Sequence, residues 1–324
     1  MKSLALLAFA ALSTTLLSSH EAHAASTKVW LQTDGCAKQI AVSGNDLPWV
    51  LGCDAVGSIY YRGSVSAPCS GGGLCLTTPA WIYAGGSANF ISVGVDSGPA
   101  VVDRQGALWV AVWSSAGAAG QRKPDKWVNP PTLMPDGKPA CIQSFAQGQI
   151  FSKYWAIGCG GNPNAPIWWL DPVWSGNVPL SQLFVKGTNV WHQLGAQYAN
   201  AGTQVALFNA FSNSVVTQNP WIVAGGSVWA YNGSYFDWVP APFDGQVTAV
   251  TDHYIVSAGS VYRWNGNIYG GGGGATPWTL EIGATPAPIK QIAWTMNRQG
   301  GSSNLWAIDT AGGIYYERTV SVPR

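Results

Sequence analysis

The chain is short of charge. Of its 324 residues, 16 are Lys or Arg and 15 are Asp or Glu, a formal balance of +1. So few and so evenly matched charges build neither a basic face for nucleic acid nor a cationic stripe for an acidic membrane. Glutamate is scarcer still, limited to Glu21, Glu281 and Glu317, and histidine to His20, His23, His192 and His253. Paired glutamates for acid–base work are therefore hard to assemble, and no Gly-x-Ser-x-Gly elbow, phosphate loop or metal-ligand helix appears. The glycine run Gly270 to Gly274 is followed by neither a helix nor a Lys-Ser/Thr pair, so it reads as a turn. These gaps argue against an enzyme and imply no cofactor and no metal.

Long apolar runs are missing too, except at the start. Met1-Lys2 supplies a positive end, Leu4 to Leu17 an apolar stretch, and Ala22-His23-Ala24 a small-x-small cleavage pattern. The stretch is short of the roughly 20 apolar residues that a membrane span needs. It reads as an export signal over 1–24, cut after Ala24, leaving one domain over 25–324 in the periplasm or outside the cell.

What is abundant points one way. The chain has 40 Gly, 20 Pro and 18 Trp, with 47% hydrophobic residues. That composition predicts many short strands joined by tight turns, with almost no helix beyond the leader. Six cysteines follow the leader. Cys36 and Cys53 bracket one strand-turn-strand segment and Cys141 and Cys159 an equivalent one, which predicts the bridges Cys36–Cys53 and Cys141–Cys159. Cys69 and Cys75 flank a five-residue loop and make a third pair. A zinc site is disfavoured, since no CxxC pair occurs and the pairing is local.

A repeat decides the fold. Trp30, Trp81, Trp127, Trp191, Trp238 and Trp278 each open a unit of 40 to 64 residues. Each unit continues with an Ile/Val-centred strand such as Gln39-Ile40-Ala41-Val42. A third strand follows, such as Trp49-Val50-Leu51-Gly52, where Ala100 and Tyr254 replace the Trp. The fourth resembles Ile59-Tyr60-Tyr61. Six units of four short strands predict an all-β, six-bladed β-propeller of antiparallel four-stranded blades. If the Ile/Val strand is innermost, the strand around Trp30 completes the last blade beside Tyr315 and closes the ring.

The order opening Trp, central Ile, Trp-x-x-Gly, then Gly-x-Ile-Tyr resembles the tectonin repeat. Gly57-Ser58-Ile59-Tyr60-Tyr61 and Gly312-Gly313-Ile314-Tyr315-Tyr316 match it best, and the likeness spans 25–324, with units two to four degenerate. It implies a six-bladed lectin that binds surface sugars. WD and sialidase-type signatures are absent. The stretch Leu305 to Gly313, with Asp309 and Gly312, is similar to the turn of quinoprotein-type propellers but stands alone in the sequence.

Sugars present apolar C–H faces that stack on aromatic rings and hydroxyls that need polar partners. The recurring Trp residues are expected to pack between blades, so aromatics outside the repeat are the better platforms. Trp113, Trp174, Tyr235 and Trp264 fit that description, the last two read as occupying the same place in successive units. The expected carbohydrate site uses Trp174, Tyr235 and Trp264 as platforms, with Asn232, Asn265 and Asn267 for hydroxyls. Expected partners are glycans or a surface polysaccharide. The alternative is a secreted protein-interaction scaffold without sugar specificity. A glycan screen separates the two.

Overall fold

The computed structural model describes residues 25–44, 46–66, 77–94, 98–113, 123–130, 132–134, 136–147, 154–159, 166–170, 189–194, 202–212, 215–265, 277–282, 287–295 and 304–322. Residues 1–24, read from sequence as an export signal, and Cys69, Cys75, Trp174 and Asn267 lie outside these residues. Six antiparallel four-stranded sheets stand around one axis, with no helix among the described residues.

The chain enters on β1 (Ala25–Gln32). Blade 1 is β2 (Ala37–Val42), β3 (Pro48–Gly52), β4 (Ser58–Ser66) and β5 (Thr77–Ser87). Blade 2 is β6 (Phe90–Val93), β7 (Pro99–Val102), β8 (Leu108–Val112) and β9 (Lys126–Val128). After β10 (Thr132–Leu133), blade 3 is β11 (Ile142–Ala146), β12 (Tyr154–Gly158), β13 (Ile167–Leu170) and, beyond β14 (Asn189–Val190), β15 (His192–Gln193). β10 and β14 pair in parallel as a small extra sheet. Blade 4 is β16 (Gly202–Ser212), β17 (Val215–Ala224), β18 (Ser227–Tyr231) and β19 (Phe236–Val239). Blade 5 is β20 (Val247–Thr251), β21 (Tyr254–Ser257), β22 (Ser260–Trp264) and β23 (Trp278–Ile282). Blade 6 is β24 (Ile289–Ala293), β25 (Trp306–Asp309) and β26 (Ile314–Val322), completed by β1.

The closure is as the repeat implied. β1 lies antiparallel on β26 from Ala25↔Val322 to Gln32↔Tyr315. Lys28 on β1 bridges Glu317 of the same blade at 2.9 Å and Glu281 of blade 5. Burial lowers the proton affinity of Lys28, and the two carboxylates more than offset this, holding it above the usual lysine range.

Each seam between blades is packed with aromatic and branched residues. The second strands present Trp49, Ala100, Trp155, Trp221, Tyr254 and Trp306, all buried. The inner strands place Ala41, Ser92, Ala146, Ala206, Thr251 and Ala293 opposite them. Small residues suit the side nearest the axis, where a ring of sheets has least room. Each buried Trp removes roughly 150–250 Å² from water, about 4–6 kcal/mol at 25 cal/mol per Å². Ala100 leaves blade 2 without such a ring. Trp113 packs edge-on against Trp49 at 6.5 Å in the neighbouring cluster.

Two polar devices tie the blades together. The first serves the inner strands, whose axis-facing edges have no strand partner. Ile91 N–H donates to Gln39 Oε1 at 3.1 Å, Val250 N–H to Gln204 Oε1 at 3.2 Å and Ile40 N–H to Gln291 Oε1 at 3.3 Å. Val205 N–H donates to Ser144 Oγ at 3.0 Å. One inner-strand position, occupied by Gln39, Ser144, Gln204 and Gln291, thus supplies the acceptor that an edge strand lacks.

The second device is a glycine turn between the second and third strands. The N–H groups of Ala37, Ala88, Ile142, Val247 and Ile289 donate to the carbonyls of Gly312, Gly57, Gly106, Gly226 and Gly259 in the preceding blade, at 2.8 to 3.0 Å. These glycines all have positive φ, and a Cβ at Gly57 would lie 2.3 Å from the Ala88 carbonyl oxygen. The predicted disulfides form at the same seams. Cys36–Cys53 covers Gly312 and Cys141–Cys159 covers Gly106, with Cα–Cα distances of 5.5 and 5.4 Å.

The Asp309 turn is not solitary. Asp54, Asp103 and Asp309 each accept two backbone N–H groups within their turns, from Val56 and Ser58, Gln105 and Ala107, and Ala311 and Gly313. The Asp-x-x-Gly turn therefore recurs in blades 1, 2 and 6, and only its flanking residues vary.

Candidate functional site

Register corrects one reading of the repeat. In blades 1, 2, 5 and 6 the opening Trp faces the residue three positions after Ile59, Leu108, Val261 or Ile314 on the neighbouring strand. Trp81 faces Arg62, Trp127 faces Ala111, Trp278 faces Trp264 and Trp30 faces Glu317. In blade 4 that partner is Tyr231, and the residue facing it is Phe236, not Trp238. Phe236 is buried in the seam to blade 3, and Trp238, two residues later, is 49% exposed.

A step of two along a strand keeps the same face, so the position after the opening aromatic lies farther out on the same seam. The residues there are Tyr83 in blade 1, Trp238 in blade 4 and Leu280 in blade 5, exposed by 49%, 49% and 54%. Their cross-strand partners are Tyr60, Trp229 and Tyr262. Blades 3 and 6 have Gln193 and Gln32 at this position, facing Trp168 and Tyr315. One outer-strand position is therefore aromatic in blades 1 and 4, leucine in blade 5 and glutamine in blades 3 and 6.

Blade 1 pairs Tyr60 with Tyr83 at 5.7 Å between ring centres. In blade 4, Trp238 donates through Nε1 to Asp244 Oδ1 at 3.4 Å, which places a carboxylate beside an open indole face. The loop holding Asp244 is anchored on blade 5. Ser257 Oγ donates to the Phe243 carbonyl at 3.0 Å and accepts from the Phe243 N–H at 3.2 Å. The Phe243 ring, 47% exposed, lies 6.4 Å from Tyr262. An open ring flanked by a fixed carboxylate can stack on a sugar C–H face and accept from its hydroxyls.

The residues expected from sequence fall elsewhere. Tyr235 is 55% exposed at the tip of the β18–β19 hairpin. Asn232 builds that tip, its Oδ1 accepting from the N–H groups of Ser234 and Tyr235 at 3.0 Å and its Nδ2 donating to Asp237 at 2.8 Å. Its amide is thus occupied by the turn. Trp264 does not occupy the place of Tyr235. It ends β22 as Tyr231 ends β18, and packs edge-on against Trp221 at 5.3 Å and Trp278 at 4.9 Å with its Nε1 shut off from solvent. Asn265 is exposed and bonds Thr279 Oγ1 across the hairpin. Trp174 and Asn267 lie outside the described residues. Two signals were missed: Tyr83 and Trp238 share a register position, visible once the blade 4 unit is aligned on Phe236.

The other concavity is the axial channel. A cavity of about 520 Å³ lies where the inner strands begin, and a second of about 100 Å³ lies between their later residues. Among the described residues no group of three metal-ligating side chains occurs, and no helix is long and apolar enough to cross a membrane.

No protein-family model and no curated protein matches the chain. Among solved structures it is similar to a triple arginine-to-alanine mutant of AofleA from Arthrobotrys oligospora, at 10% identity and a TM-score of 0.46, over 92% of this chain and 91% of that one. It is also similar to a chain in the complex of BBS1N with ARL6DN, at 13% identity and a TM-score of 0.38, over 86% and 74%.

Proposed function

We propose that this protein is an exported, non-enzymatic carbohydrate-binding propeller whose platforms are the rim aromatics Trp238 and Tyr83. The observation that carries this reading is the open Trp238 ring beside Asp244, at a position that recurs around the ring. Stacking supplies sequence-tolerant affinity for a pyranose face, and the carboxylate supplies direction. Rim positions filled by Gln193 and Gln32 lack a ring, so sites are expected in a minority of blades. Several weak sites on one rigid body give avidity for a repetitive glycan.

A glycan array probed with the purified protein tests this. The wild type is expected to bind immobilised glycans, and Trp238→Ala to lose most of that signal with an unchanged melting curve. Absence of binding to every glycan at concentrations where multivalent lectins score rejects the reading. Leu280, 54% exposed beside Tyr262, favours the protein-scaffold alternative, because a leucine offers a sugar little. Retention of partner binding by Trp238→Ala with loss in Leu280→Ser would support that alternative.

A further inference from the structure

Five of the six inner strands carry an extra, unpaired residue near their start. The register shifts fall between Ala37 and Gln39, Ile142 and Ser144, Gly202 and Gln204, Val247 and Ala249, and Ile289 and Gln291. A bulge leaves its extra residue out of the ladder and re-aims its side chain. The bulged residues are Lys38, Gln143, Thr203, Thr248 and Lys290, and all five line the 520 Å³ cavity. Lys38 and Lys290 belong to adjacent blades.

Charge gathers at this mouth. Lys38, Lys290 and Arg104 line it with Asp103 as the one carboxylate, a local excess of two in a chain whose whole balance is +1. Asp103 is spent on its own turn and on Trp109 Nε1 at 2.8 Å. Arg104 and Lys38 donate to the carbonyls of Ala55 and Asp54, which aligns them without neutralising them. Burial holds the Lys290 ammonium below its usual range, Asp309 raises it and Lys38 lowers it further. An anion between the two lysines would relieve that repulsion.

The mouth is also braced. Lys38 follows Cys36 by two residues and Gln143 follows Cys141 by two, so both disulfides clamp the bulges that face the cavity. A second cavity of about 100 Å³ lies between the later residues of the inner strands. A volume of 520 Å³ lies within the range of small-molecule sites.

We infer that the axial cup binds a small carboxylated sugar, with the carboxylate on Lys38 and Lys290 and the hydroxyls on Gln143, Thr203 and Thr248. This site is separate from the rim and does not rest on it. Titration of the purified protein with glucuronate or galacturonate, beside glucose and inorganic phosphate, tests the inference. Binding of an acid sugar is expected, weakened tenfold or more in Lys38→Gln/Lys290→Gln and severalfold in Thr248→Val, while Trp238→Ala leaves it unchanged. Thr248 is exposed, so its variant keeps the test valid should the double lysine variant misfold. The inference is overturned if neither acid binds, if glucose or phosphate binds as tightly as the acid and is weakened as much by Lys38→Gln/Lys290→Gln, or if these variants keep full affinity for the acid.

Discussion

Single residues decide the seams. At Gly57 a side chain meets the Ala88 carbonyl in a backbone conformation that L-residues avoid. Gly57→Ala is expected to cost about 2 kcal/mol or more, a fall of several degrees in Tm read by circular dichroism. Gly312→Ala would instead press on the Cys36–Cys53 sulfurs, 2.6 and 2.8 Å from the added carbon. Tyr254 reports the seam between blades 5 and 6 through pH. Burial pushes its phenol up to about 12, above the ordinary value near 10. The folded state therefore holds this proton more tightly than the unfolded chain. That stabilisation is complete below pH 10 and is lost as pH rises towards 12. Tm should decline over this window in the wild type and less steeply in Tyr254→Phe. An equal decline in both would show that Tyr254 is not the buried titrating group.

Elements were more legible than side chains. The six inner strands could be read because Ile40, Ile91, Ile142, Val205, Val250 and Ile292 stand in short β-branched runs, although Ile142 starts β11 and Phe145 fills the place equivalent to Ile40. The cysteine pairs were legible because Cys36 and Cys141 head equivalent hairpins. What escaped was register within a strand. Trp238 looks like an opening Trp by spacing, yet Phe236, 45 residues after Trp191 and 42 before Trp278, fills that role. Only cross-strand pairing separates two aromatics one step apart on the same face. Trp264 escaped for a related reason: a sequence cannot show that Trp221 and Trp278 already cover an aromatic at a strand end. Closure by β1 gives an element-scale prediction. Trp30→Ala should cost about 3 kcal/mol, and deletion of residues 26–31 should abolish the single cooperative melt, because β26 becomes an open edge and blade 6 loses its outer strand. An unchanged melt after the deletion would contradict closure.

At the scale of the molecule, the ring separates two kinds of surface. The rim carries an exposed aromatic at one register position in blades 1 and 4, which suits stacking on neutral sugar faces at more than one site. The axis gathers six strand starts into a single cationic cup, which suits one charged group. Each disulfide closes the first hairpin of its own blade on the cup side, with its sulfurs packed on a glycine of the preceding blade, so the covalent bracing and the local charge coincide. Reduction of both bridges is therefore expected to weaken acid-sugar binding more than rim binding, as followed by parallel titrations with and without a thiol reductant. Sugar recognition at the rim can be seen in a crystal soaked with an oligosaccharide chosen from the array. Density is expected for a sugar ring lying flat on Trp238, with a hydroxyl on Asp244, and for a second copy at Tyr83. Density confined to the tip at Tyr235, or none at the rim in crystals of a protein that binds the same sugar in solution, would contradict it.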